Sequence, residues 1–246
     1  MQISKQTWQA YTQKLAKVNE KAAKLMEQYI NAHGMSNIDA VIEYAYGLSG
    51  KYGEAAAELA CQMYDAVAAV QRAAVPAADP AKTASYAEVE SAIKKVKNNV
   101  DVLSSAVGRM VKRAGADTIL KNAVRDGAEF AWIPSGDSCA FCTTLGSRGW
   151  QLASKKTVKG DHADHIHNNC KCEFAIRFDG KSSVEGYDPD ALYDEYLGAD
   201  EGKPQDKINA MRRKQYAANK DEINAQKRAA YAKRVERDTL SQADEN

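Results

Sequence analysis

Cysteine and histidine are concentrated in one short stretch of this chain. Residues 137–172 contain four of the five cysteines and three of the four histidines. Cys139 and Cys142 are spaced Cys-x-x-Cys, and His167, Cys170 and Cys172 follow after a loop as His-x-x-Cys-x-Cys. A zinc ion takes four tetrahedral ligands, usually Cys and His, and this spacing is a common footprint of such sites. The pattern predicts one structural Zn²⁺ ion held by four of these five residues.

The ligand set stays open at the level of sequence. Cys139 and Cys142 form the firm pair, because a tight turn brings residues i and i+3 together. Residues 172–178 alternate in polarity, which predicts a half-buried strand with Cys170 and Cys172 on the side of its aromatics. An extended segment would place His165 on the same side as His167. There His165 would either substitute for one of the metal ligands or hydrogen-bond to one of them. The order of preference is Cys139, Cys142, Cys170, His167, Cys172 and then His165, with His162 expected in a solvated loop.

Disulfide pairing is the main alternative for the clustered cysteines. It expects a small secreted chain with a leader segment, whereas this chain has 246 residues and begins with a polar segment. The fifth cysteine, Cys61, lies in an Ala-rich helical stretch and is expected to be a small buried apolar residue. We therefore expect reduced cysteines and metal binding.

Composition is typical of a soluble intracellular protein of one or two domains. Apolar residues make up 44% and charged residues 27%, with a net charge of +1 and a pI near 7.6. This balance argues against a protein that coats nucleic acid. No apolar run approaches the roughly 18 residues that a membrane span needs, so no membrane partner is expected.

Apolar spacing predicts that most of the chain is helical. The first helix carries one apolar stripe that needs a partner helix, formed by Trp8, Tyr11, Leu15, Val18, Ala22, Leu25 and Tyr29. Gly34 ends this helix, and Ser36-Asn37 cap a short second helix. Gly50 and Gly53 are expected to separate that helix from a third one.

Proline, glycine and capping residues mark where the helices in the rest of the chain begin and end. Pro76–Pro80 reads as a stiff linker. A capping box opens a helix at Ser85, a further helix follows, and Asp117 is expected to cap another that stops at Gly127. The predicted regions are an N-terminal helical bundle (1–75), a helical connector (76–127), a zinc-binding Cys/His module with short strands (128–180) and a C-terminal polar helical tail (181–246). The fold class is mostly α with a small zinc-pinned β module, α+β.

The C-terminal tail is rich in charge and poor in large apolar residues. Between Lys203 and Asp238 it holds eleven Lys and Arg against five Asp and Glu. A helix of this polarity is marginal in water without a partner. A solvated tail and a helix that docks on another surface are equally compatible with this composition.

The cysteine region resembles the phage minor head protein family, the MuF-like head morphogenesis proteins. A Trp, a polar turn, Asp-x-Cys-x-x-Cys and a later His-x-x-Cys-x-Cys at the start of a strand carry the resemblance. The matching residues are Trp132, Asp137, Cys139, Cys142, His167, Asn169, Cys170 and Cys172. Family members usually carry Pro after the His, where this chain has Asn168. The resemblance is strong over 130–178 and weaker in the tail.

Membership in that family implies a structural role without catalysis. It implies a low-copy phage minor head (capsid) protein that associates with the portal and acts in head morphogenesis. The expected partners are phage head proteins, with the portal foremost and a weak contact with packaged DNA in addition, and no small-molecule substrate. The implied location is the bacterial host cytoplasm during assembly and the virion head afterwards.

A metal-dependent nuclease is the alternative from another functional class. HNH-type endonucleases carry an Asp-His-Ile core beside Cys-x-x-Cys pairs, and Asp164-His165-Ile166 matches that core. In this alternative His165 activates water while Asp164 and a later His hold a divalent cation. The second cysteine pair follows His165 too closely for the hairpin that this chemistry needs, and no His follows His167. We therefore expect a protein that is not an enzyme.

Overall fold

Long helices surround a small buried sheet in the computed structural model, which describes residues 2–96, 99–135, 138–158, 166 and 170–243. The helices are α1 (Lys5–His33), α2 (Ile38–Gln71), α3 (Tyr86–Lys95), α4 (Val100–Asp126), α5 (Ala140–Gly146), α6 (Lys155–Val158), α7 (Pro189–Leu197), α8 (Pro204–Ala218) and α9 (Lys220–Ala243). The strands are β1 (Gln2–Ile3), β2 (Glu129–Ile133), β3 (Gln151–Leu152), β4 (Glu173–Arg177) and β5 (Ser183–Val184). The predicted fold class, mostly α with a small β module, is confirmed.

Helix α1 packs its apolar stripe against α2 and α4 of the same chain. The Ser4 hydroxyl accepts a hydrogen bond from the Thr7 backbone N–H at the start of α1, and Gly34 ends the helix with φ 69°. Trp8 and Leu15 of the predicted stripe are buried, and Leu25 is partly buried against the same core. The stripe therefore finds its partner helices within this chain.

Helix α2 is continuous, so the predicted break at Gly50 and Gly53 is wrong. Glycine in a helix costs about 1 kcal/mol relative to alanine, which the burial of both flanking segments offsets. Gly53 also has a packing role, because a Cβ there would lie 2.8 Å from Thr83 Cγ2. Glycine at this position lets the segment after α2 lie directly on the helix.

Helix α4 is also continuous, so the prediction that Asp117 caps a separate helix is wrong. Its side chain instead pairs with Arg113 one turn earlier, at 3.3 Å. Residues on opposite sides of α4 are buried, because α1 and α2 pack against it and the sheet lies beside it. Gly127 ends the helix in the left-handed conformation, as predicted.

The proline-rich segment between α2 and α3 lies against the helices. The Asn122 side chain exchanges two hydrogen bonds with the backbone of Asp79, at 2.9 and 2.8 Å. The Ala81 N–H donates to Thr118 Oγ1 at 2.9 Å. Helices on both sides of the boundary predicted between residues 75 and 76 consequently share one apolar core.

The sheet that carries the cysteine region has the order β3-β2-β4 and is antiparallel. Trp132 of β2 pairs with Phe174 of β4 in this register. Both faces of the β2–β4 pair are buried: the aromatic residues lie in one core cluster, whereas Ala131, Ile133 and Ala175 lie in the other. The predicted strands are confirmed, although they are buried on two faces rather than one. A separate parallel pair joins β1 to β5.

The two helices of the tail differ in their environment. Helix α8 packs against α5 and α7, and Met211 is only 3% exposed. Helix α9 packs against α8, and its described side chains are exposed or half exposed. Helix α8 of the tail thus docks on its own chain. Among the helices that the structure describes, none combines the length and apolar character of a membrane span.

Candidate metal centre

Three cysteines from two distant segments meet in the interior. The sulfur atoms of Cys142, Cys170 and Cys172 all lie within 4.8 Å of one another. The Cys142 and Cys170 sulfurs are 3.6 Å apart, and all three side chains are buried. None of these three cysteines forms a disulfide. The three cysteines are positioned to hold a metal ion.

Short local structures aim these sulfurs at one point. Cys139 is the N-cap residue of α5, and Cys142 lies in the first turn of that helix. The side chains of Cys139 and Cys142 are hydrogen-bonded to each other. Cys170 and Cys172 precede β4 and are two residues apart, and alternate residues of an extended chain point to the same face. Both sulfurs therefore lie on the side of the sheet occupied by Phe174. The predicted common face of these two cysteines is confirmed.

Aromatic and aliphatic side chains enclose the sulfur cluster. Trp132 and Phe174 meet edge to face with their ring centroids 4.5 Å apart, and Ile166 is buried in the same core cluster. Ser138 Oγ lies 3.0 Å from the Cys172 sulfur. A buried polar group needs a hydrogen-bonding partner, so Ser138 is suited to orient Cys172.

The pKa values of the three thiols shift in different directions because the sulfurs hydrogen-bond to one another. Hydrogen bonds from Cys142 and then Cys170 lower the pKa of Cys172 to about 2, with further contributions from Ser138 and Trp132. The hydrogen bond with Cys139, followed by those with Cys170 and Cys172, raises the pKa of Cys142. A metal ion binds thiolates and displaces their protons, so it would replace these thiol–thiol contacts with direct bonds.

A buried ion pair adjoins the cluster. The ammonium of Lys112 on α4 donates to a carboxylate oxygen of Glu173, the residue that follows Cys172. The side chains are 6% and 8% exposed. Burial opposes the charge of Lys112, but Glu173 and the nearby Cys170 sulfur raise the pKa of Lys112 overall. Burial likewise raises the pKa of Glu173, and Lys112 lowers it in part.

Helix α8 of the tail is hydrogen-bonded to the first cysteine turn, residues 138–142. Gln215 on α8 accepts a hydrogen bond from the Ala140 N–H at 3.0 Å, and its own amide N–H donates to the Ser138 carbonyl at 3.2 Å. These contacts fix the backbone on both sides of Cys139. The turn is therefore held between the sheet and α8.

The donor set fits a soft or borderline metal ion. Thiolate ligands select Zn²⁺, Cu⁺ or iron–sulfur clusters over Mg²⁺ and Ca²⁺. Cys139 is not among the sulfurs that all lie within 4.8 Å of one another, but its side chain is hydrogen-bonded to Cys142, which makes it a candidate for a fourth ligand. His167, the other predicted ligand, lies outside the residues that the structure describes, as do His165 and His162.

Sequence reasoning missed four supporting residues: Ser138, Lys112, Glu173 and Gln215. Glu173 and Lys112 had a signal, since each is a charge within an otherwise apolar strand or helix face. Gln215 had none, because its contact joins segments far apart in the chain. Asp164 of the nuclease alternative also lies outside the described residues, together with Asp137, Asn168 and Asn169.

One protein-family model, described as "VG15 protein", matches residues 2–199. The chain therefore belongs to the VG15 protein family, and this membership indicates a phage-encoded protein. The match covers the helices, the sheet and the cysteine cluster, and it ends before α8. No curated protein and no solved structure matches the chain.

Proposed function

We propose that this VG15 family member is a phage minor head protein that associates with the portal and acts in head morphogenesis. The observation that carries the proposal is the buried cluster of Cys142, Cys170 and Cys172, formed by two segments on a phage-encoded helical scaffold. Its spacing in the sequence is the one that resembles MuF-like minor head proteins. The role is structural and involves no catalysis.

The bound metal is proposed to be one structural Zn²⁺ ion. Cys142, Cys170 and Cys172 would hold it, with Cys139 as the fourth ligand and His167 as the alternative. When bound, zinc supplies a cross-link between the chain at α5 and the chain before β4. Structural zinc sites are closed, four-coordinate and rich in Cys, which agrees with buried thiols beneath Trp132.

This cross-link would stabilise the sheet against the helices. Structural zinc binding contributes on the order of 10 kcal/mol in small zinc domains. The β2–β4 pair lies between two core clusters, so fixing one edge of it also fixes the adjoining faces of α2 and α4. A head component needs such a rigid docking surface during assembly.

The proposed partners are phage head proteins, with the portal foremost and a weaker contact with packaged DNA. The proposed location is the host cytoplasm during assembly and the virion head afterwards. The nuclease alternative depends on Asp164 and His165, which both lie outside the residues that the structure describes.

Purified phage heads provide the test. We expect mass spectrometry to find the protein in heads at low copy number, portal pull-down to recover it, and atomic absorption to find one zinc per chain. Replacing Cys142 with Ala should reduce zinc and incorporation together, whereas Cys61→Ala should change neither. Absence from heads that contain portal would refute the structural role, and DNA cleavage lost in His165→Ala would favour the nuclease.

A further inference from the structure

Charge is divided sharply between two neighbouring segments of the chain. Residues 182–202 contain seven Asp and Glu and no Lys or Arg, whereas residues 203–238 contain eleven Lys and Arg against five Asp and Glu. The first segment includes α7, and the second includes α8 and α9. The two stretches therefore carry opposite net charges of similar size.

Helix α7 turns an acidic face with apolar side chains toward solvent. Asp190, Tyr193, Asp194 and Leu197 follow the i, i+3, i+4, i+7 spacing that places residues on one side of a helix. Tyr193 is 47% and Leu197 46% exposed. Helix α7 has no buried residue, although α5 and α8 pack against it. Asp194 lies at the margin with α8, in a groove that Met211 and Lys214 also line. This side is an exposed acidic and apolar face.

Helix α9 presents the complementary combination. Lys220, Lys227, Tyr231 and Val235 are spaced i, i+7, i+11, i+15, and Arg228 lies beside them, so they share one side of the helix. Tyr231 is 61% and Val235 44% exposed. Of the described acidic residues of α9, Asp221 lies at the edge of this side, one heptad before Arg228, and Glu222 and Glu236 lie on the opposite side. The Lys227 ammonium lies 5.6 Å from the centroid of the Tyr216 ring on α8. This side is a basic and apolar face.

The charges on these two faces are not matched within the described chain. No carboxylate of α7 and no Lys or Arg of 212–228 forms an ion pair within 4.0 Å among the residues that the structure describes. Lys207 of α8 reaches α7, but it donates to the backbone carbonyls of Leu197 and Asp200. Packing of α8 on α7 thus leaves the α7 carboxylates available.

We propose that the basic face of α9 docks on the acidic face of α7 in a second copy of this chain. Opposite charges bring the surfaces together and fix their register, and the exposed Tyr, Leu and Val side chains leave water on contact. Helix α9 has 24 residues, which span about 36 Å and give it the reach to meet a neighbour.

The contact would be head to tail, because the donor and acceptor surfaces differ. Heterologous contacts of this kind generate rings or open chains of subunits. Each copy gives one α9 and receives another, so every added subunit leaves both kinds of surface available. The interface is small, which predicts weak association that depends on concentration and salt. The inference requires neither zinc nor the portal.

Charge reversal tests the inference on the full chain. Sedimentation equilibrium of the purified protein should show self-association at low ionic strength, and this should disappear in 1 M salt, where the screening length is about 3 Å. Lys227→Glu/Arg228→Glu and Asp190→Lys/Asp194→Lys should each weaken association about tenfold or more. Reversal of Lys14 and Lys21, exposed on α1, is the matched control and should have no effect.

Mixing the two reversed proteins gives the sharper outcome. Each carries charge of one sign on both faces, so neither should associate alone, whereas an equimolar mixture should associate because every face then meets one of opposite charge. A chain that carries both reversals should associate again. Circular dichroism of every variant checks that folding is retained.

A monomer at every salt and concentration, or association that neither reversal changes, would overturn the inference. A gel shift of duplex DNA that Lys227→Glu/Arg228→Glu abolishes, without self-association, would also overturn it and assign the face to nucleic acid. Neither result bears on whether the protein is present in heads, so this inference and the proposed function fail separately.

Discussion

Lys112 of α4 and Glu173 of β4 form an ion pair in the interior, next to Cys172, which directly precedes β4. The pair joins α4 to β4, the strand that directly follows Cys170 and Cys172 of the candidate metal site. A buried pair is weak evidence of net stabilisation, but loss of one partner leaves an uncompensated buried charge. The metal site and the helices are therefore coupled through this pair.

Replacing Lys112 with Met should destabilise the protein by about 3–5 kcal/mol, because the Glu173 carboxylate would remain buried without a cation. Adding Glu173→Leu to that variant should recover much of the loss. Urea unfolding at fixed metal content measures both effects. Lys94→Met removes an exposed pair with Glu90, at 56% and 39% exposure, and should cost less than about 1 kcal/mol. Equal losses at the two lysines would contradict the coupling.

Replacing Cys142 with Ala should remove the bound metal and lower the thermal transition, because two of the remaining sulfurs would face a gap. Metal content by atomic absorption and melting by calorimetry measure the two effects. Cys61 is equally buried but lies on α2, away from the cluster, so Cys61→Ala is the matched control and should keep full metal content. Retained metal in Cys142→Ala would show that the cluster is not the site.

Replacing Gln215 with Ala should loosen α8 from the first cysteine turn. The Ala140 N–H and the Ser138 carbonyl would each lose a partner, at about 1–2 kcal/mol for the pair. Hydrogen exchange should rise in α8 and α5 while α1 and α2 stay protected. Gln205 of the same helix is exposed and bonds to Asn209 one turn later, so Gln205→Ala should leave the exchange pattern unchanged.

The stability contributed by Glu88 should depend on pH. The Ser85 backbone N–H and then the Arg113 guanidinium lower the pKa of Glu88 from its ordinary 4.5 to about 2. A lowered carboxyl pKa stabilises the fold above the unfolded pKa, and this stabilisation is lost as the pH falls through the folded pKa.

Urea unfolding of Glu88→Gln beside the natural protein measures this dependence. The difference between their free energies of unfolding should be constant above about pH 5.5 and should shrink between about pH 4.5 and 2. It should stay smaller than about 1 kcal/mol, because the Glu88 side chain is 44% exposed. Metal loss in acid affects both proteins and cancels in the difference. A difference that grows in acid would contradict the assignment.

Local patterns in the sequence were enough for much of this protein. The apolar stripe of α1, the strand before Phe178, the common face of Cys170 and Cys172 and the capping box at Ser85 depend on neighbours within a few residues. Helical period, strand alternation and capping are short-range rules, so the mostly helical α+β class and the cysteine cluster followed from them.

Long-range packing decided the rest. Gly53 and Asp117 read locally as helix ends, but α2 and α4 continue through them because burial against other helices outweighs the local penalties. The pairing of Lys112 with Glu173, and of Gln215 with the turn at Ser138, joins segments that no spacing rule connects. The sequence alone determined which residues could bind metal; only the tertiary structure decided which sulfurs meet and which charges support them, because those contacts depend on how distant helices pack.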